Sequence, residues 1–159
     1  MQNTALVNIV FQHIRMGDLD ALREEVEVDP SVVNSVDLKG FTPLILASYN
    51  DESEIVDFLI EKGADLDGKD ASGNTALMGV AFKGYAELAE TLIKHGADVN
   101  AINYNGATAL IYAATFGQKS ITQLLLNNVA DKTIQDARGI SALKHAEMQG
   151  NREMMLLLS

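Results

Sequence analysis

The chain has no cysteine in its 159 residues. That absence excludes disulfides, thiol catalysis and cysteine metal sites, and it suits a reducing or an oxidising compartment equally. No apolar run approaches the roughly 18 residues that a membrane-crossing helix needs. The first ten residues hold no lysine or arginine and the segment is charged by Arg15, so no signal peptide is visible. A cytoplasmic protein is expected, and an exported form whose signal has been removed stays open. Basic residues are also scarce: 12 Lys and Arg stand against 22 Asp and Glu, a net charge of −10. Such a chain repels phosphate backbones and anionic lipid, so neither nucleic acid nor a membrane surface is expected as a partner. The imbalance is uneven, because residues 1–66 hold 13 acidic and 4 basic side chains and residues 67–159 hold 9 and 8. The plain reading of Glu24, Glu25, Glu27, Asp51, Glu52, Glu54 and Asp57 is a solvated face. The functional reading is that the N-terminal half meets a basic partner.

Signatures of catalysis are missing as well. His13, His95 and His145 fall in no H-x-x-x-H or H-E-x-x-H spacing, so each reads as a packing or helix-end residue. The glycines form neither G-x-G-x-x-G nor a phosphate loop, and no G-x-S-x-G occurs. No catalytic, cofactor-binding or metal-ligating residue is expected, and the chain reads as non-enzymatic.

What the sequence does contain is a period. Gly40, Gly73, Gly106 and Gly139 fall 33 residues apart, each followed by one pattern: Thr42-Pro43-Leu44, Thr75-Ala76-Leu77, Thr108-Ala109-Leu110 and Ser141-Ala142-Leu143. Asp37, Asp70, Asn103 and Asp136 stand three residues before these glycines, the pairing a type I turn prefers. Each hydroxyl is placed to cap a helix, and Pro43 suits a first helical position. A short helix, Leu77 to about Lys83 in one unit, is stopped by Gly84, as others are by Gly117 and Gly150. Asp51 takes that place in a further unit. A second helix follows with apolar residues at 88, 89, 92 and 93, one buried face. Gly63-Ala64-Asp65 and Gly96-Ala97-Asp98 close it. Val129-Ala130-Asp131 breaks the rule, so either Asn128 takes the left-handed role or the turn is strained. Carboxylates that recur in this way serve turns, whereas a catalytic pair is needed once.

The period, the D-x-x-G-x-T-P/A-L phrase, the mid-unit glycine and the closing Gly96-Ala97-Asp98-Val99-Asn100 together resemble the ankyrin repeat. The likeness is close over 37–159 and loose over 5–36, where Gly17 marks a capping repeat with one residue inserted near Val28-Asp29-Pro30. It implies an all-α solenoid, one domain over 1–159, with about five helix-turn-helix repeats and projecting β-turn loops. The expected repeats are 5–36, 37–69, 70–102, 103–135 and 136–159. The family usually has histidine where Ile45, Met78, Ile111 and Lys144 stand, so the loops are expected to be held by apolar packing more than by imidazole bridges.

Family members hold protein partners on a concave face made by loop tips and short-helix ends. On this chain the resemblance places there Leu38, Phe41, Tyr49, Lys69, Ser72, Phe82, Lys83, Tyr104, Phe116, Arg138 and Met148. Tyr49, Phe82 and Phe116 recur on this face with Tyr104 and Leu38 nearby, a charge-poor aromatic composition typical of interface cores. The alternative is that the rings fold back and finish the stack. Acidic residues of the first two repeats would steer a basic partner. The apolar Met154-Met155-Leu156-Leu157-Leu158 is expected to pack inward rather than meet another chain, and a monomer is expected. An array of this size is similar to small bacterial ankyrin proteins, some of which accompany an enzyme such as a catalase and some of which act on host proteins.

Overall fold

The computed structural model describes residues 3–159, and in them ten α-helices follow one another. They are α1 (Thr4–Met16), α2 (Leu19–Val28), α3 (Pro43–Tyr49), α4 (Ser53–Glu61), α5 (Ala76–Lys83), α6 (Ala86–Lys94), α7 (Ala109–Thr115), α8 (Lys119–Asn127), α9 (Ala142–Met148) and α10 (Arg152–Leu158). A 3-10 turn, Pro30–Asn34, follows α2, where the sequence carries its extra residue. Odd-numbered helices pack on one another to form an inner row, and each leans on the even-numbered helix that follows it. The even-numbered helices form an outer row.

Local chemistry explains each boundary. The hydroxyls of Thr42, Thr75, Thr108 and Ser141 accept the backbone N–H three residues on and start α3, α5, α7 and α9. Pro43 occupies the first turn of α3. Asp51 stands at φ 57 where the neighbouring units have glycine. At the third outer turn the residue with positive φ is Val129, at 64°, while Asn128 keeps φ −104°. The strained turn is therefore the outcome, and Asn128 instead donates its side-chain amide to the Leu124 carbonyl at 2.8 Å.

The core is a continuous seam of aliphatic side chains with Phe11 and Phe58 at its N-terminal end. Leu44, Leu77 and Leu110 lie inside it at equivalent positions, with Ile45, Met78 and Ile111 beside them. Lys144 breaks this series: it is exposed and pairs with Glu147 at 3.2 Å. At the C-terminal end Met154 and Leu158 are buried, but Leu156 is exposed. Inward packing thus accounts for only part of that apolar run, because a helix pressed on one side must turn its third face outward. Among the described residues no helix is long and apolar enough to cross a membrane.

Hydrogen bonds also join successive loop tips. The Tyr104 N–H donates to the Ser72 carbonyl at 3.1 Å, and the Ala137 N–H donates to the Asn105 carbonyl at 2.8 Å. Asn103 donates its amide to Asn74 Oδ1 at 2.9 Å, and the Tyr112 hydroxyl lies 3.3 Å from the same oxygen. These backbone and amide bridges add to the packing of Ile45, Met78 and Ile111, which are buried in the seam where the family usually has histidine. Such bonds are directional, so they fix the spacing of the loops as well as their contact.

Candidate functional site

Inner helices and loop tips border one common groove. Each loop is braced from within: the Asp37, Asp70, Asn103 and Asp136 Oδ1 atoms each accept two backbone N–H groups of their own turn. Asp37 and Asp136 have further partners on their second oxygens, Arg15 at 3.1 Å and His145 at 3.0 Å. Burial pushes the Asp136 carboxyl up, but the His145 ring and the Ile140 and Arg138 N–H groups outweigh it and hold it below its ordinary 3.8. Each loop is therefore tied by bonds within its own turn.

On the helix side of the groove the aromatic residues form a ladder. Tyr49 stacks parallel to Phe82 at 6.2 Å, Phe82 meets Phe116 edge-on at 4.6 Å, and Phe116 stacks with Tyr112 at 6.4 Å. Pairs in these geometries contribute about 0.5–1.5 kcal/mol each beyond burial. The ladder follows the C-terminal ends of α3, α5 and α7: Tyr49 and Phe82 stand one period apart at equivalent positions, and Phe116 is the residue just past α7, one beyond the equivalent Thr115. Tyr49 lies over Gly79, where an added Cβ would come within 3.5 Å of its ring. The rings are nevertheless open to solvent, 41% for Tyr49, 37% for Phe82 and 48% for Phe116. The rings thus pack on one another and still present part of their surface to solvent.

The other expected residues divide. Leu38, Met148 and Arg138 are exposed, Arg138 with its guanidinium 3.7 Å from the Asp136 carboxylate. Phe41 is half-buried against the core. Lys69 Nζ is held on the Ile102 carbonyl at 2.8 Å, and Ser72 contributes its carbonyl to the loop bridge. Lys83 Nζ lies 4.7 Å from the centre of the Tyr49 ring, a cation–π contact. Tyr104 does not join the ladder; its ring covers Gly73, where an added Cβ would come within 2.9 Å of it. Tyr112 was absent from the sequence-derived set. Its spacing marks a helix face without saying which edge of the ring faces solvent, and only its bond to Asn74 reveals that.

Two hollows interrupt the groove. One of about 220 Å³ is lined by Tyr49, Asn74, Met78, Gly79, Phe82 and Tyr112. The larger, about 450 Å³, has Ile111, Tyr112 and Phe116 on one side and Asp136, Arg138 and His145 on the other. Of the other histidines, His95 Nδ1 lies 2.8 Å from the Thr91 carbonyl at a helix end, and His13 stands beside Glu25 between α1 and α2. Among the described residues no three His, Cys, Asp or Glu side chains converge as a metal site would require.

Braced loops, paired helices and a run of exposed aromatic rings define a helical repeat array. The ankyrin-repeat family (ankyrin repeats, 3 copies) matches residues 9–103 and 81–159, and the chain belongs to that family. Over 56 residues, 35% of the chain, it is 46% identical to the human DNA-binding protein RFXANK, covering 22% of that protein. Over 62 residues, 39% of the chain, it is 39% identical to the mouse ankyrin repeat and SAM domain-containing protein 6, covering 7% of it. The chain thus spans less than a quarter of the length of the curated relatives it matches.

Proposed function

We propose that this chain is a non-catalytic protein-interaction module that holds a protein partner in the groove between loop tips and inner helices. The observation that carries this reading is the aromatic ladder. Three large rings at the ends of three successive inner helices stay open to solvent while they pack on one another, Tyr49 stacked on Phe82 and Phe82 edge-on to Phe116. Rigid aromatics lose little conformational freedom on binding, which is why interface hot spots favour them. A standard interface buries about 800 Å² on each side, and four loop tips with their helix ends present a face of that scale.

The test is the double variant Phe82→Ala with Phe116→Ala. Circular dichroism should show the helical array retained, while affinity capture of protein from the native cell is lost. Unchanged capture by the folded variant would count decisively against the groove.

A further inference from the structure

Charge is distributed across the molecule in a way that the net −10 conceals. On the loop tips and the inner helices α3, α5, α7 and α9, the acidic residues are Asp37, Asp70, Asp136 and Glu147. The three aspartates are turned into their own turns, and Glu147 is paired with Lys144. Against them stand the exposed cations Lys39, Lys69, Lys83 and Arg138. Among the described residues the three lysines make no ion pair, and Arg138 reaches only Asp136, at 3.7 Å. The acidic excess lies elsewhere. Glu24 and Glu27 are on α2, Glu54 and Asp57 on α4, Glu87 and Glu90 on α6, all in the outer row. Asp51 alone stands exposed at the edge of the ladder.

Resting on the protein-binding reading above, we propose that the groove takes an acidic, apolar partner segment: a linear stretch of protein with Asp or Glu set among aromatic or aliphatic side chains. Its carboxylates would face Lys39, Lys69, Lys83 and Arg138. An apolar anchor would enter the 450 Å³ hollow between Tyr112, Phe116 and Arg138, a volume within the range of side-chain-sized and ligand-sized sites. Charges on the outer row are screened beyond about 10 Å at 0.1 M salt, so the groove cations decide what docks beside them. A polyanion long enough to run past the groove would also meet the acidic outer row, which favours a short peptide over nucleic acid. Lys83 lies close to the Tyr49 ring, so one partner residue can meet charge and ring together.

Selection of a random linear peptide library on the purified chain tests this. Acidic peptides with aromatic or aliphatic residues should be enriched and lost on Phe82→Ala with Phe116→Ala. Lys83→Glu with Arg138→Glu should weaken the selected peptides about tenfold at low salt, with the difference shrinking at high salt. Lys39→Glu with Arg138→Glu serves if the first pair disturbs the circular dichroism spectrum. Basic or neutral peptides that depend on Phe82 and Phe116 would overturn the acidic assignment and leave the groove reading intact. Acidic peptides indifferent to the charge reversals would overturn it as well. A fluorescent single-stranded oligonucleotide that binds more tightly than the best peptide would overturn it in favour of nucleic acid. If no selected peptide depends on Phe82 and Phe116, both readings fall.

Discussion

Replacing Val129 with glycine should make the protein more stable, although a side chain is lost. Val129 sits at φ 64° and is 83% exposed, so its isopropyl group buries little apolar surface. A residue with a Cβ pays about 1–2 kcal/mol in the left-handed region, and β-branching places it at the upper end. Glycine returns about 0.4–1 kcal/mol of this through the greater freedom of the unfolded chain. The net expectation is a gain of about 1 kcal/mol, or about 2–4 °C in Tm for a chain of this size. The converse variants are Gly63→Val and Gly96→Val, at the equivalent turns. An added Cβ there meets nothing within 4 Å, so their cost is backbone strain alone and should match in size with opposite sign. Urea denaturation followed by circular dichroism reads all three. If Val129→Gly destabilises while Gly63→Val and Gly96→Val are neutral, the strain argument is refuted.

Leu77→Ala should cost roughly 2–5 kcal/mol, because Leu77 lies fully inside the seam and truncation leaves a cavity between repeats. The same denaturation experiment checks it, and a loss below about 1 kcal/mol would show that the seam is not close-packed there. Acid should act through Asp136, whose folded carboxyl sits below its ordinary 3.8. Its contribution is complete above that value and is lost as pH falls through the folded value, so the wild type should weaken in acid more than Asp136→Asn does. Denaturation midpoints measured across that pH range would refute this if the two slopes coincide.

Much of the array was legible because its local rules repeat. Thr42, Thr75, Thr108 and Ser141 are capping residues at one fixed offset, and a rule met four times needs no tertiary context. The aromatic ladder was legible for a related reason, since Tyr49 and Phe82 stand one period apart and Phe116 lies one residue beyond the next matching position, Thr115. Tyr112 and Asn74 were not, because their bond joins different units, and the rotation between units is not written at any single position. The bridges at Ser72 and Asn105 use backbone atoms, which side-chain patterns do not show. Val129 was legible as an exception, but propensity alone favoured moving the irregularity to Asn128. Leu124, Leu125 and Leu126 keep the preceding helix in register, so the strain falls on the valine. The whereabouts of the acidic excess were hidden for a related reason: counting by halves of the chain cannot distinguish the inner row from the outer.

Among the bonds that join the units, one set recurs at a fixed stride. Asn34 accepts the Asp65 N–H, Asp67 the Asp98 N–H and Asn100 the Asp131 N–H, each 31 residues on, and no side-chain bond among the described residues reaches beyond an adjacent unit. A molecule linked in this way has neighbours but no centre. Stretched from its two ends, it would give way one unit at a time, and each released unit would free the face of the next. Shortened by residues 70–102, it would bring Asn103 up to Lys69 and rejoin with its stride unbroken, one rung shorter.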